Sequence, residues 1–432
     1  MTTPFDLDRA LGQWMDADAL PPAPSHVLPA VMAVTAAERP RPAWLARARH
    51  ARAWPRSFAI SSLFASGATG SRLRPALILA LVALIVALLG GALIIGSRHR
   101  LPPPFGPAAN GLVVYATGGD LFTGDPMTGE SRRITAGPEQ DDAPVFSPDG
   151  THVVFFRSSG GSGAEDIVVA EVDGSRQVVV TPTPMTGLTW LDWTPDSRSI
   201  AFISETDGRA LHIAEADGSG VRTLVDDMAV GDTSFRPPLG DEIMFRGQNG
   251  DGIGIYVMRA DGTGRRTLIA PTSSLNLERH LAEPRYSPDG SLIAYQRWAD
   301  DAGQMRVYVM NADGTGSWPM PHDPDTWYEG WPVWSPDGTR LAIQRIFNDP
   351  ASGTKLDGPP LAVIAADGRS PAVPVGSFMD GTGLRVEWSP DGTRLLASSD
   401  VDPQVILDPG GGPPETPTWV STSYPAWQRL AP

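Results

Sequence analysis

One four-residue phrase recurs through this 432-residue chain, and it carries a carboxylate beside a hydroxyl. Ser-Pro-Asp-Gly follows an aromatic residue at Phe146, Tyr286, Trp334 and Trp388. Such groups could serve as acid, base or Ca²⁺ ligand. Recurrence argues against this, because catalysts are not normally repeated once per structural unit. The phrase reads instead as a type I turn. Ser sits at i, Pro presets φ at i+1, Asp suits i+2 and Gly releases the chain at i+3. A second set of candidates is histidine. His280 stands near Glu278 and Glu283, and His322 beside Asp323 and close to Asp325. Two such loops could hold a divalent metal if they converged. Exposed histidines beside ordinary acids are the plainer reading, and no metal or cofactor is assigned. The chain has no cysteine, which removes disulfides, thiolate metal sites and a cysteine nucleophile. Gly-x-Ser-x-Gly, His-Glu-x-x-His and P-loop motifs are missing as well, so no catalytic residue is assigned and an enzyme is not expected.

The better-motivated site comes from aligning the recurring aromatics. Phe146, Trp193, Phe235, Tyr286, Trp334, Trp388 and Trp427 fall 47, 42, 51, 48, 54 and 39 residues apart. Three residues before them stand Ala143, Trp190, Asp232, Glu283, Trp331, Arg385 and Tyr424. If the copies are in phase, these positions lie in loops entering equivalent strands and crowd one end of a central channel. Trp190, Asp232, Glu283, Trp331, Arg385 and Tyr424 would then suit a peptide, a sugar or a cationic small ligand, through stacking and cation–π contact. Trp327 and Tyr328, read as loop residues, could add to it or simply pack on a neighbour.

The elements that position these residues follow one grammar. After each aromatic and its turn comes a short apolar run, such as "RLAIQR" (340–345) or "HVVFFR" (152–157). Another follows, such as "GIYVMRADGTG" (254–264), and then a last short run, such as "RRTLI" (265–269). Runs of four to six β-branched and aromatic residues between Asp-Gly turns are strands. Four strands per 40–50 residues mark a propeller blade. The motif aromatic-Ser-Pro-Asp-Gly, a strand, then "IYVM-x-ADGTG" resembles the TolB-like, WD40-like (PD40) β-propeller repeat family over nearly all of 111–432. The resemblance implies an all-β β-propeller, and seven first-strand copies over the 322 residues of 111–432, 46 to a blade, make it seven-bladed. It is unspecific for function, because one fold hosts many. Some members of the wider group are lyases that hold a metal with histidines, which keeps a metal-dependent polysaccharide lyase as an alternative. An envelope scaffold is another. The terminal "SYPAWQRL" (423–430) supplies a first strand, and "GLVVYAT" (111–117), "DLFTGDPMTGE" (120–130) and "SRRIT" (131–135) match the other three slots. The two ends are expected to complete one blade together.

The remaining sequence divides into residues 1–40, a small helical segment; 41–74, a basic linker; 75–96, a transmembrane helix; and 97–110, a Pro-rich linker. "ALILALVALIVALLGGALII" (76–95) is 20 residues without a charge, long enough to span roughly 30 Å of hydrocarbon. Eight arginines and no acid lie between Arg39 and Arg74, against only Arg98 and Arg100 just beyond the span. The positive-inside rule keeps the N-terminus in the cytoplasm of a bacterial cell and the propeller outside. Ala83, Ala87 and Gly91 form a small-residue stripe that could be a dimer face. The first hundred residues resemble bacterial single-pass anti-sigma-type regulators. That resemblance implies a cytoplasmic sigma factor as partner, though the family's zinc-binding His and paired Cys are missing. A plain membrane tether explains the arrangement equally. Residues 111–432 carry 23 Lys+Arg against 44 Asp+Glu, which excludes nucleic acid as a partner. The expected function is a membrane-anchored external module that binds or senses a protein or small ligand.

Overall fold

The computed structural model describes residues 102–432 apart from 161–162, 273–280, 300–303, 324–325, 327, 348–359, 377–383, 400–403, 420, 422–423 and 432. The expected span, its flanking segments, His280, Glu278, Asp325 and Trp327 lie outside the described residues. Among the described residues no helix is long and apolar enough to cross a membrane.

Each expected apolar run is a strand, and the fold is an all-β, propeller-like ring of antiparallel sheets. The strands that carry the motif aromatics are Gln140–Phe146, Leu188–Trp193, Ala229–Phe235, Leu281–Tyr286, Tyr328–Trp334 and Arg385–Trp388, each ending on its aromatic, and Ala426–Leu430, in which Trp427 is second. Most form the first edge of a meander in which the next strands pair in sequence order, whereas Tyr328–Trp334 lies inside an eight-stranded sheet, between Gln304–Asn311 and Arg340–Ile346. The middle strands are buried on both faces, which is why they read as continuous apolar runs: every residue of Ser199–Ser204 is buried. The two ends of the repeat region share a sheet, as expected. Ala109–Thr117 pairs with Ala426–Leu430, with Val113 opposite Trp427 and Val114 opposite Ala426, and Asp120–Gly124 and Ser131–Arg133 complete the order. The motif strands touch one another in succession and line a central channel. Ala229–Phe235 meets Leu281–Tyr286, which is followed by Tyr328–Trp334, Arg385–Trp388, Ala426–Leu430 and Gln140–Phe146.

The recurring phrase is a self-contained turn. In the first copy Gly150 N–H donates to Ser147 O at 2.8 Å. Ser147 Oγ donates to Asp149 Oδ1 at 2.6 Å and accepts from His152 N–H at 3.0 Å. Ser287, Ser335 and Ser389 repeat the Oγ–carboxylate bond. Burial works to raise the carboxyls of Asp289, Asp337 and Asp391, but the hydroxyl and backbone donors around them win and hold them below the ordinary range. These acids are spent on the turn. The aromatic behind it joins neighbouring repeats. Nε1 of Trp193, Trp334 and Trp388 donates to the carbonyls of Val145, Arg285 and Val333, each one repeat back, at 3.2, 3.1 and 3.0 Å.

Residues 102–108 lie across the channel end where the motif strands finish. Ala108 N–H donates to Pro390 O at 2.9 Å. Arg429 holds the carbonyls of Pro103 and Gly106. Phe105 packs on the cluster of Ile203, Phe235 and Tyr256, on the other side of the ring.

Candidate functional site: the channel wall

The residues three before each aromatic were expected in entry loops at the channel mouth. The structure places most of them within the motif strands, partway along the channel. Ala143, Trp190, Asp232, Glu283 and Trp331 have φ of 50°, 64°, 49°, 52° and 46°. A positive φ costs a non-glycine residue about 1–3 kcal/mol. At each of the five the pairing register with the next strand shifts. Each is therefore a β-bulge, which leaves one residue out of the ladder and re-aims its side chain. Arg385 departs from this pattern and pairs regularly with Ser398, while Tyr424 precedes its strand. Tyr328 is not a loop residue: it opens the strand Tyr328–Trp334.

The bulged side chains hold one another. Arg246 Nε donates to Asp232 Oδ2 at 2.8 Å, and Glu283 N–H donates to the same oxygen at 3.2 Å. Arg285 donates to Glu283 Oε2 at 2.8 Å, and Trp331 Nε1 to Glu283 Oε1 at 3.0 Å. Gln296 Oε1 accepts from Tyr328 OH at 2.7 Å and from Trp331 N–H at 3.1 Å, with the two rings 5.3 Å apart. The Arg285 guanidinium also lies over the Trp190 ring at 4.4 Å. Asp232, Glu283, Trp331 and Trp190 are thus one connected group. Arg385 and Tyr424 form a second, the guanidinium lying 4.4 Å over the phenol ring. Of the three aromatics expected to attract a cation, Trp190 and Tyr424 are covered by the chain's own arginines, and Trp331 is exposed.

Three channel acids sit above their ordinary range. Burial and the charge of Asp232 raise Glu283, against the pull of Arg285. Burial pushes Asp192 up to about 7, with Arg285 and the Thr233 hydroxyl opposing. Burial pushes Glu387 up to about 8, with the Trp427 N–H and Arg429 opposing. Asp192, Arg285 and Glu387 were missed in the sequence. Each immediately precedes a motif aromatic, in "LDW", "PRY" and "VEW". Strand alternation turns that position away from the packed aromatic; there Asp192 and Arg285 meet Thr233 of a neighbouring repeat, and Glu387 lines a cavity.

A cavity of about 460 Å³ opens among Ala143, Trp190, Arg385, Glu387 and Tyr424, with Val145, Phe156, Leu188 and Leu396 in its walls. Four positions of the aligned ring therefore line one space. His322 is exposed, and no group of three metal-ligating side chains gathers among the described residues.

No protein-family model matches the chain. No curated protein matches it either. Among solved structures, oligogalacturonate lyase from Vibrio parahaemolyticus superposes with a TM-score of 0.54 at 14% identity, over 72% of this chain and 90% of that one. A candidate 6-phosphogluconolactonase from Bacteroides uniformis gives 0.50 at 15% identity, over 74% of this chain and 100% of that one. TolB from Acinetobacter baumannii gives 0.46 at 16% identity, over 75% and 81%. At these identities the likeness is one of fold, that of a β-propeller.

Proposed function

We propose that the chain is a membrane-anchored, extracytoplasmic seven-bladed propeller that binds a protein or small ligand in its channel, without catalysis of its own. One observation carries the binding reading: aromatic, acidic and arginine side chains from separate motif strands converge on one channel, positioned there largely by bulges that are costly to the backbone. Strain of this kind clusters at functional sites.

Seven blades account for the core. The described apolar clusters lie between consecutive repeats, and the last, of Val113, Tyr115, Trp427, Leu396 and Ile406, returns to the start. The eight-stranded sheet divides into two blades, because among the described residues the ladder between its halves is the single parallel pair of Met305 and Tyr328. The three-stranded sheet gains a fourth edge from the Ile406–Glu415 bridge. The anchor rests on the uncharged stretch 76–95 and on the arginines before it. Through it, occupancy would be relayed to a cytoplasmic partner.

The test is capture from envelope extract and small-molecule pools by full-length protein in detergent, beside a Trp190→Ala/Trp331→Ala variant with the same melting temperature. Material held by the wild type and lost by the variant supports channel binding. Equal capture by both rejects it. Protease that digests the propeller from the cytoplasmic side of the membrane rejects the orientation.

A further inference from the structure

We infer that the cavity beside Arg385 receives a carboxylate carried on an apolar body. The inference rests on the channel-binding reading and narrows it to one ligand chemistry.

The argument starts from how the channel arginines are used. Arg157 grips Asp141 with two bonds of 2.7 and 2.8 Å. Arg246 holds Asp232, and Arg285 holds Glu283. Arg429 is spent on the carbonyls of Pro103 and Gly106. Arg385 differs. It lies over Tyr424, and stacking occupies the face of a guanidinium and none of its five N–H donors. Among the described residues no hydrogen bond or ion pair takes those donors. The acid that senses Arg385 is Glu283, already engaged by Arg285 and Trp331. A planar fork of donors, fixed by an aromatic ring and left without an anion, is the arrangement that recognises a carboxylate.

The cavity supplies the rest. Its volume of about 460 Å³ falls within the roughly 300–1,000 Å³ of small-ligand sites. Its walls are apolar, from Val145, Phe156, Leu188, Leu191, Leu396 and Pro425, and Arg385 and Glu387 are its charged side chains. Burial raises Glu387 to about 8, which weakens its repulsion of an incoming anion at neutral pH, and its protonated carboxyl can donate to the ligand's second oxygen. An organic cation fits poorly, since guanidinium groups already cover Trp190 and Tyr424.

The carboxylate could belong to a free small acid or to the C-terminus of an apolar peptide, and the probes separate them. Full-length protein in detergent is titrated calorimetrically with phenylacetate, phenylacetamide and phenethylamine. A second series uses acetyl-Leu-Leu-Phe with a free and with an amidated C-terminus. Phenylacetate or the free-acid peptide should bind at least tenfold more tightly than its neutral partner. Arg385→Met should lose at least tenfold, Arg385→Lys should retain part of the affinity, and Tyr424→Phe should retain most of it. Amide binding as tightly as acid, or Arg385→Met binding unchanged, overturns the carboxylate assignment while channel binding stands. Binding of no probe also overturns it, and channel binding is then decided by the extract capture.

Discussion

Trp331 donates its indole N–H to Glu283 at 3.0 Å, so two residues at the same place in consecutive repeats bond each other through their side chains. Glu283 in turn uses its backbone N–H on Asp232, the equivalent residue one repeat earlier. The bulge makes this possible: a residue in the regular ladder would point its side chain where the strand pleat dictates. Much of the channel wall is therefore pre-organised before any ligand arrives.

Arg285 is the hub of that wall, pairing Glu283, covering Trp190 and offsetting Asp192. Arg285→Met leaves two half-buried acids without their cation. Loss of one partner of such a pair costs about 3 kcal/mol, read as a lower urea midpoint near neutral pH. Adding Glu283→Gln should recover part of that loss. A double variant as unstable as the sum of the singles would show that the pair is not coupled.

The indole bonds between repeats are worth little individually. Trp193→Phe and Trp388→Phe each remove an N–H to a carbonyl one repeat back, at a cost of about 1 kcal/mol each. Phe146 and Phe235 already occupy the same slot, so the ring fits there. A loss of more than about 3 kcal/mol would mean that the phenyl ring fails to fill the indole's place.

Copies of one turn differ in what surrounds them. A Cβ on Gly150 would stand 2.3 Å from the carbonyl oxygen of Arg429, whereas on Gly338 its nearest neighbour is Pro288 Cδ at 3.5 Å. Both glycines have φ near 70°. Gly338→Ala should cost about 1–2 kcal/mol from backbone strain alone. Gly150→Ala should cost at least about 2 kcal/mol more, because backbone must move. Equal melting temperatures for the two variants would show that Arg429 yields freely.

The turns, the strand slots and the shared sheet of the repeat region's two ends were legible because each is written locally. Ser147, Pro148, Asp149 and Gly150 dictate their own turn, and "AWQRL" has only one empty slot to fill. The bulges were not, since Trp190 and Asp232 carry no mark of a positive φ. Pro144, Pro284 and Pro332 follow three of the bulged residues, and a proline in mid-strand, with no donor for the ladder, was the signal available there. The stacking of Arg285 on Trp190 joins residues of different repeats, and no local pattern announces such a partner.

Glu387 should make stability depend on pH. Its ordinary value is 4.5, and burial raises it to about 8 in the folded protein. Between those values the folded state keeps a proton that the unfolded chain has released, so stability falls as pH rises through the window. The penalty is absent below the lower value and complete above the upper. Glu387→Gln mimics the protonated form and keeps an oxygen for the Trp427 N–H. It should match the wild type near pH 4 and exceed it near pH 9, by about 2 kcal/mol once screening by channel water is allowed for. Asp192 and Glu283 push in the same direction in both proteins and drop out of the comparison. Urea midpoints of the two that stay parallel from acid to alkaline pH would place the Glu387 carboxylate in water and remove it from the cavity wall.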